Sequence, residues 1–116
     1  MAAAGFALFA PQTAQAISYN ATTYPAPQSY TNIATNTTTV VKEGQGVLDA
    51  IVINTVGASA NTITVYDNTA GSGTKIATID GTLAGGTRII YNVAFGTGLT
   101  VVTATGTAAN ITVAYH

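Results

Sequence analysis

Hydrophobic and polar residues alternate over short stretches of the chain from residue 30 onward. In the last stretch, Ile111, Val113 and Tyr115 are separated by smaller or polar residues. A period of two is typical of a β-strand that has one face on a core and the other face in water. The same reasoning predicts seven strands, at residues 30–41, 47–56, 62–67, 74–80, 87–95, 99–104 and 110–115.

Short segments rich in glycine and asparagine separate these strands, for example residues 68–73 and 96–98. Both residue types tolerate the positive φ angles of tight turns. Only residues 2–10 have helix propensity, and the chain of 116 residues is long enough for one domain. The sequence therefore predicts an all-β fold. We expect a single antiparallel β-sandwich, of jelly-roll or Ig-like type with about seven strands, over residues 30–116, and an extended N-terminal arm and linker over residues 1–29.

The second predicted strand has two apolar faces. Strict alternation places Val47 and Ile51 on one face, and Leu48 and Val52 on the other. A small sandwich has few places to bury both faces of a strand. The second face is therefore predicted to be a subunit interface or the underside of the arm, with Leu48 and Val52 as candidate partner contacts.

The fourth predicted strand breaks its own pattern. Ile76 and Ile79 are three residues apart and fall on opposite faces of a regular strand. A β-bulge between them would restore the register.

An apolar segment opens the chain, in which residues 1–16 read MAAAGFALFAPQTAQA. Residues 2–10 resemble the hydrophobic region of a signal peptide, and residues 14–16 resemble a cleavage site, but no Lys or Arg precedes them. The run is shorter than the ~20 residues that span a bilayer. We favour an arm that packs on a neighbouring chain through Phe6 and Phe9. A cleavable signal peptide and a short membrane-surface contact are the alternatives.

The segment that follows, residues 17–28, is rich in Thr, Tyr and Pro. Pro25 and Pro27 favour an extended path because each proline fixes its own φ and restricts the residue before it. Tyr19, Tyr24 and Tyr30 would then lie along one strip, which is suited to contact with a partner because Tyr combines apolar area with a polar tip. The strip can equally fold back on its own domain.

The composition narrows the function classes. Only 6% of the residues are charged, the net charge is −1, and there is no Cys. Disulfides and thiolate metal sites are therefore excluded. A nucleic-acid-binding surface, which needs Lys and Arg, is not expected. Because a free monomer usually keeps more surface charge than this, we expect neighbouring subunits to cover part of the surface.

The residues for catalysis are sparse. The one histidine is His116, and the four acids Glu43, Asp49, Asp67 and Asp80 are expected to be solvated surface residues. Residues 67–73 carry oxygen ligands near glycines but lack the acidic spacing of an EF-hand loop, so a hairpin turn is favoured over a cation site. We expect no enzyme activity, no cofactor, no metal site and no membrane partner.

Three segments resemble a known group of proteins: residues 65–76, VYDNTAGSGTKI; residues 98–102, GLTVV; and residues 106–113, GTAANITV. They are similar to small β-sandwich virion structural proteins of tailed bacteriophages, of the capsid decoration or cement type. The resemblance implies a homo-oligomer, with a trimer favoured, on the virion surface, bound to the major capsid protein or another virion protein. It also implies an arm that reaches between subunits, and no catalytic residues.

Two alternatives remain open. The long apolar N-terminus leaves room for a tail or head–tail surface protein of the virion. A secreted or cell-surface β-sandwich adhesin would bind glycans through Thr- and Asn-rich loops, although the absence of Trp, a common platform for sugar rings, argues against it.

Overall fold

The fold of the described part of the chain is entirely β. The computed structural model describes residues 27–116. Most of the predicted arm, including Phe6, Phe9, Tyr19 and Tyr24, lies outside the described residues. Two antiparallel four-stranded sheets form a sandwich, which confirms the predicted class. The strands are β1 (Ser29–Ile33), β2 (Thr38–Glu43), β3 (Gly46–Thr55), β4 (Thr62–Asp67), β5 (Thr74–Asp80), β6 (Arg88–Phe95), β7 (Gly98–Ala104) and β8 (Asn110–Tyr115).

The strand order is that of a jelly roll. Sheet A has the order β1-β8-β3-β6, and sheet B has the order β2-β7-β4-β5. The pairs β1–β8, β2–β7, β3–β6 and β4–β5 are nested along the chain, as in one long hairpin. This hairpin is wrapped so that β8 meets β3 and β7 meets β4. Of the two predicted sandwich types, the structure therefore has the jelly-roll connectivity.

Residues 27–116 form eight strands because the predicted strand 30–41 is two strands. β1 lies in sheet A and β2 in sheet B, and the chain crosses between the sheets at residues 34–37. The Thr103 hydroxyl holds this crossover: it donates to the Thr35 carbonyl at 2.5 Å and accepts from the Thr37 amide at 3.1 Å. The prediction of one long strand was wrong here because the Thr-rich crossover has the same β propensity as the strands that it joins.

The core lies between the two sheets and consists of aliphatic side chains and one phenylalanine. Burial of each large side chain contributes on the order of 1.5–3 kcal/mol before the entropy of ordering is counted. The largest of these buried side chains are Phe95, Leu48, Ile51, Ile53, Ile63, Leu99, Ile111, Val65, Val101 and Val113.

A bulge in β3 changes which residues face the core. Leu48 pairs with Tyr115 of β8 and Ala50 pairs with Ala114, so Asp49 is an extra residue. The bulge turns Leu48 toward the core on the same side as Ile51, and Leu48 is 0% exposed. The prediction that Leu48 lies on the outward face is therefore wrong, and as a core residue it is not available as a partner contact. Strict alternation fails wherever a bulge inserts one residue.

A second bulge lies in β5, where the sequence predicts one. Val65 of β4 pairs with Ala77, and Tyr66 pairs with Lys75, which leaves Ile76 as the extra residue. Ile76 and Ile79 both contact the core as a result. The predicted bulge is confirmed.

Candidate interaction surface

The outer face of sheet A carries a row of apolar side chains that crosses all four strands. Tyr30 of β1 pairs with Ala114 of β8, which pairs with Ala50 of β3, which pairs with Ile90 of β6. The two large members are well exposed, Tyr30 at 73% and Ile90 at 59%. We call these four residues the apolar strip. It is uncharged along its whole length.

The neighbouring row on the same face is mixed in character. Val52 pairs with Thr112 on one side and with Arg88 on the other, and its side chain is half-buried. Tyr30 and Val52, two of the predicted partner contacts, therefore share one outer face. Their role as contacts stays a prediction.

One end of this face carries a cluster of amide side chains. Asn54 Nδ2 donates to Asn110 Oδ1 at 3.1 Å and to Thr112 Oγ1 at 2.9 Å. Asn32 Nδ2 donates to the same Asn110 oxygen at 2.7 Å. The three asparagines come from β1, β3 and β8 and lie next to one another only because β8 sits between the other two strands. Alternation along the chain does not predict this cluster, and its only sequence signal is one Asn in each of three strands.

At the other end of the face, the β3 bulge places Asp49 beside the end of β8. Asp49 Oδ2 lies 2.9 Å from His116 Nδ1, and Asp49 is only 6% exposed. The expectation that Asp49 is a solvated surface acid is therefore wrong, because the bulge seats its carboxylate against the imidazole. When the imidazole is protonated, the pair is an ion pair.

The Asp49–His116 pair resembles two members of a catalytic triad, which also needs a nucleophile on the far imidazole nitrogen. An open depression adjoins His116, and its other lining residues lack a hydroxyl or thiol group: Lys42, Gln45, Gly46, Val47, Ala94 and Phe95. The geometry of the described residues thus supplies an acid and a base beside the depression but no nucleophile lining it.

Two of the remaining acids hold turns. The Asp67 carboxylate accepts hydrogen bonds from the backbone amides of Gly96 at 3.0 Å and Thr97 at 2.8 Å, which close the β6–β7 turn. These bonds, that of Gly96 foremost, lower the pKa of Asp67. The Asp80 carboxylate accepts hydrogen bonds from the hydroxyl and the backbone amide of Thr82. Both bonds lower the pKa of Asp80, and the hydroxyl has the larger effect.

Asp67 and Asp80 are too far apart to act as a pair of catalytic carboxylates. Asp80 pairs with Thr62, which lies five residues before Asp67 on the same strand. At about 3.4 Å per residue, the separation is roughly 17 Å. Glycoside hydrolases hold their two carboxyl groups at most about 9.5 Å apart.

The loop of residues 68–73 folds back over the outer face of sheet B. The backbone carbonyl of Asn68 accepts a hydrogen bond from the Thr100 hydroxyl at 2.7 Å. The side-chain amide of Asn68 donates to the Ser72 carbonyl at 2.7 Å. One bond lies within the loop and the other attaches the loop to β7, in line with the hairpin interpretation. Among residues 27–116, no three His, Asp or Glu side chains group together as metal ligands would.

Comparison with known proteins assigns the chain to no family. No protein-family model, no curated protein and no solved structure matches the chain. The described residues contain no helix long and apolar enough to cross a membrane. The resemblance to phage virion proteins stays a prediction.

Proposed function

We propose that the protein is a structural virion protein that binds and stabilises a phage capsid surface, as decoration or cement proteins do. The observation that carries the proposal is the apolar strip. Its Tyr30 and Ile90 side chains are exposed, and none of its four residues is charged. Large apolar side chains that share one face favour contact with another protein, because that contact removes them from water.

The strip by itself gives only a modest contact. At about 25 cal/mol per Å² of apolar surface removed from water, two large side chains contribute a few kcal/mol before the cost of association. A symmetric shell offers the same contact many times, and linked copies bind far more tightly than one copy does. The homo-oligomer of the proposal, with a trimer favoured, supplies this linkage. Jelly rolls also serve as viral capsid domains, which supports the proposal by analogy of fold alone.

Incorporation into particles tests the proposal. The chain is expressed together with the products of the genes that flank its own, and particles are purified by density gradient. Tyr30→Glu and Ile90→Glu should reduce incorporation strongly, because each puts a charge in the strip. The matched control is Thr78→Glu, which adds the same charge at an exposed position of β5 in sheet B.

All three variants should stay folded, since surface substitutions usually change stability by no more than about 0.5 kcal/mol. Flanking genes that encode no virion protein, or equal incorporation of all three variants, would contradict the proposal. Separation of heads from tails on the same gradient distinguishes a capsid location from a tail or head–tail location.

The amide cluster favours a second candidate, a secreted or cell-surface adhesin that binds glycans. Asn54 and Asn110 present amides on an exposed face, and Tyr30 supplies an aromatic ring on that face. Amide hydrogen bonds and an aromatic ring suit the polar edges and apolar faces of sugars. A glycan array with the wild-type chain and with Asn54→Ala tests this candidate: binding that Asn54→Ala abolishes supports the adhesin, and an array without binding rejects it.

A further inference from the structure

Among residues 27–116, four strands form the edges of the two sheets, and three of them carry features that discourage pairing with another strand. β2 has a register shift near Val41 and the charged residues Lys42 and Glu43. β5 has the bulge at Ile76 and charges at both of its ends. Bulges and charged side chains are the usual means by which natural sheets protect a free edge.

β6 is protected in the same way. It begins with Arg88, and its ladder with β3 is interrupted opposite the Asp49 bulge, where Asn92 has a φ of 52°. This left-handed residue turns the edge out of a regular strand path.

β1 is the exception among these four edges. Its sequence, SYTNI, has no charged residue, and its five pairs with β8 run without a register shift. Its other side has no neighbouring strand among the described residues. A regular, uncharged edge is a template for one more strand.

The chain itself supplies a segment that fits this edge. Residues 17–24 read ISYNATTY, without charge, Gly or Pro, and Ile17, Tyr19 and Ala21 alternate with polar residues. Eight residues with this pattern make a strand of ordinary length. The 26 residues outside the described part end at Ala26, three residues before β1 begins at Ser29, so the chain joins the fold at this edge. We propose that residues 17–24 of one copy add as a fifth strand to sheet A of a second copy, along β1.

The proline spacer explains why the strand joins a second copy. A hairpin back onto the chain's own β1 would need a reversal within residues 25–28, and loops of this length are most often built around a type I turn. Ala26 would then need helical backbone angles, which Pro27 disfavours in the residue before it. Pro25 restricts Tyr24 in the same way, so the segment runs on to a neighbouring molecule.

This contact deepens the proposed assembly function, because it names what joins the copies of the homo-oligomer. It is measured on the purified full-length chain, in the absence of any capsid protein. Failure of this inference therefore leaves capsid binding open, and failure of capsid binding leaves the contact between copies open.

A proline scan of residues 18–23 tests the added strand. In an edge strand, every second amide donates to the neighbouring strand and the others face solvent. Proline lacks that amide, so alternate positions should weaken self-association, by about five-fold or more in the dissociation constant for one lost hydrogen bond. Analytical ultracentrifugation over a concentration series gives the constants. The variants leave the sandwich itself unchanged.

A second pair of variants tests the β1 side. Ser29→Lys puts a charge at an exposed position of the unprotected edge and should dissociate the copies, whereas Thr78→Lys at an exposed position of the protected β5 edge should not. Circular dichroism confirms that both remain folded. The inference is overturned by equal sensitivity at all six proline positions, or by an oligomer that survives deletion of residues 1–24. A full-length monomer also overturns it, including one whose residues 17–24 resist hydrogen exchange, since that protection would show pairing within the chain.

Discussion

Replacement of the buried Asn61 by alanine should destabilise the sandwich more than replacement of an exposed asparagine such as Asn54. Asn61 is 1% exposed and lies just before β4. Its Nδ2 donates to the carbonyls of Ala104 and Thr105 and to the side chain of Asn36. Its Oδ1 accepts from the buried amide of Ala109 at 3.1 Å. One side chain thus joins the connections β1–β2 and β7–β8 to the start of β4.

The magnitude follows from which partners water can reach. Residues 104 and 105 are exposed, so their carbonyls can be hydrated in the variant, and their lost bonds cost about 1 kcal/mol together. Ala109 is fully buried, and its orphaned amide costs about 1–3 kcal/mol. We expect Asn61→Ala to lower the free energy of unfolding by about 2–4 kcal/mol. For a domain of this size, that corresponds to roughly 10–25 °C in melting temperature.

Urea unfolding at fixed protein concentration measures this loss by linear extrapolation. Asn54→Ala is the matched control, since Asn54 also makes two side-chain hydrogen bonds but is exposed, and it should cost less than about 1 kcal/mol. If both variants lose the same stability, the reasoning that buried amides decide the loop positions is refuted. Asn61→Asp offers a second check. Its carboxylate would face the carbonyl oxygens, so its pKa is raised on folding and the variant should lose stability as the pH rises above about 4.

Three further predictions concern the core, the acids and a close approach. Leu48→Ala should cost about 2–5 kcal/mol in urea unfolding and Val52→Ala less than about 1.5 kcal/mol, and the reverse order would place Leu48 outside the core. Hydrogen bonds lower the pKa values of Asp67 and Asp80 below their ordinary 3.8, so both carboxylates stabilise the fold above that pH and lose this contribution as the pH falls through their folded pKa values. Asp67→Asn should therefore flatten the acid side of a stability–pH curve. An unchanged curve would count against the turn-holding role of Asp67. Gly81→Ala should destabilise by about 1–3 kcal/mol in the same assay, because its Cβ would overlap with Asn61 Oδ1, and a neutral effect would show that Asn61 can move.

The sequence by itself determined the class of the fold. Alternation of apolar and polar residues is a property of each strand alone, so the sandwich and most strand positions were predictable from local pattern. Even the β5 bulge was predictable, because Ile76 and Ile79 share a core only if one residue is inserted between them. The low charge likewise pointed to contact with other molecules before any surface was known, although that contact stays a proposal.

The tertiary structure decided everything that depends on which strands are neighbours. The crossover at residues 34–37, the inward turn of Leu48 and the hydrogen bonds of Asn61 to residues 25–48 positions away rest on long-range contacts. The apolar strip takes its members from β1, β8, β3 and β6, which are adjacent in the sheet but dispersed along the chain. The physical reason is that a local period records only whether a residue is buried. Strand order and register are set by the nested pairing of distant strands and by the bulges that this pairing accommodates.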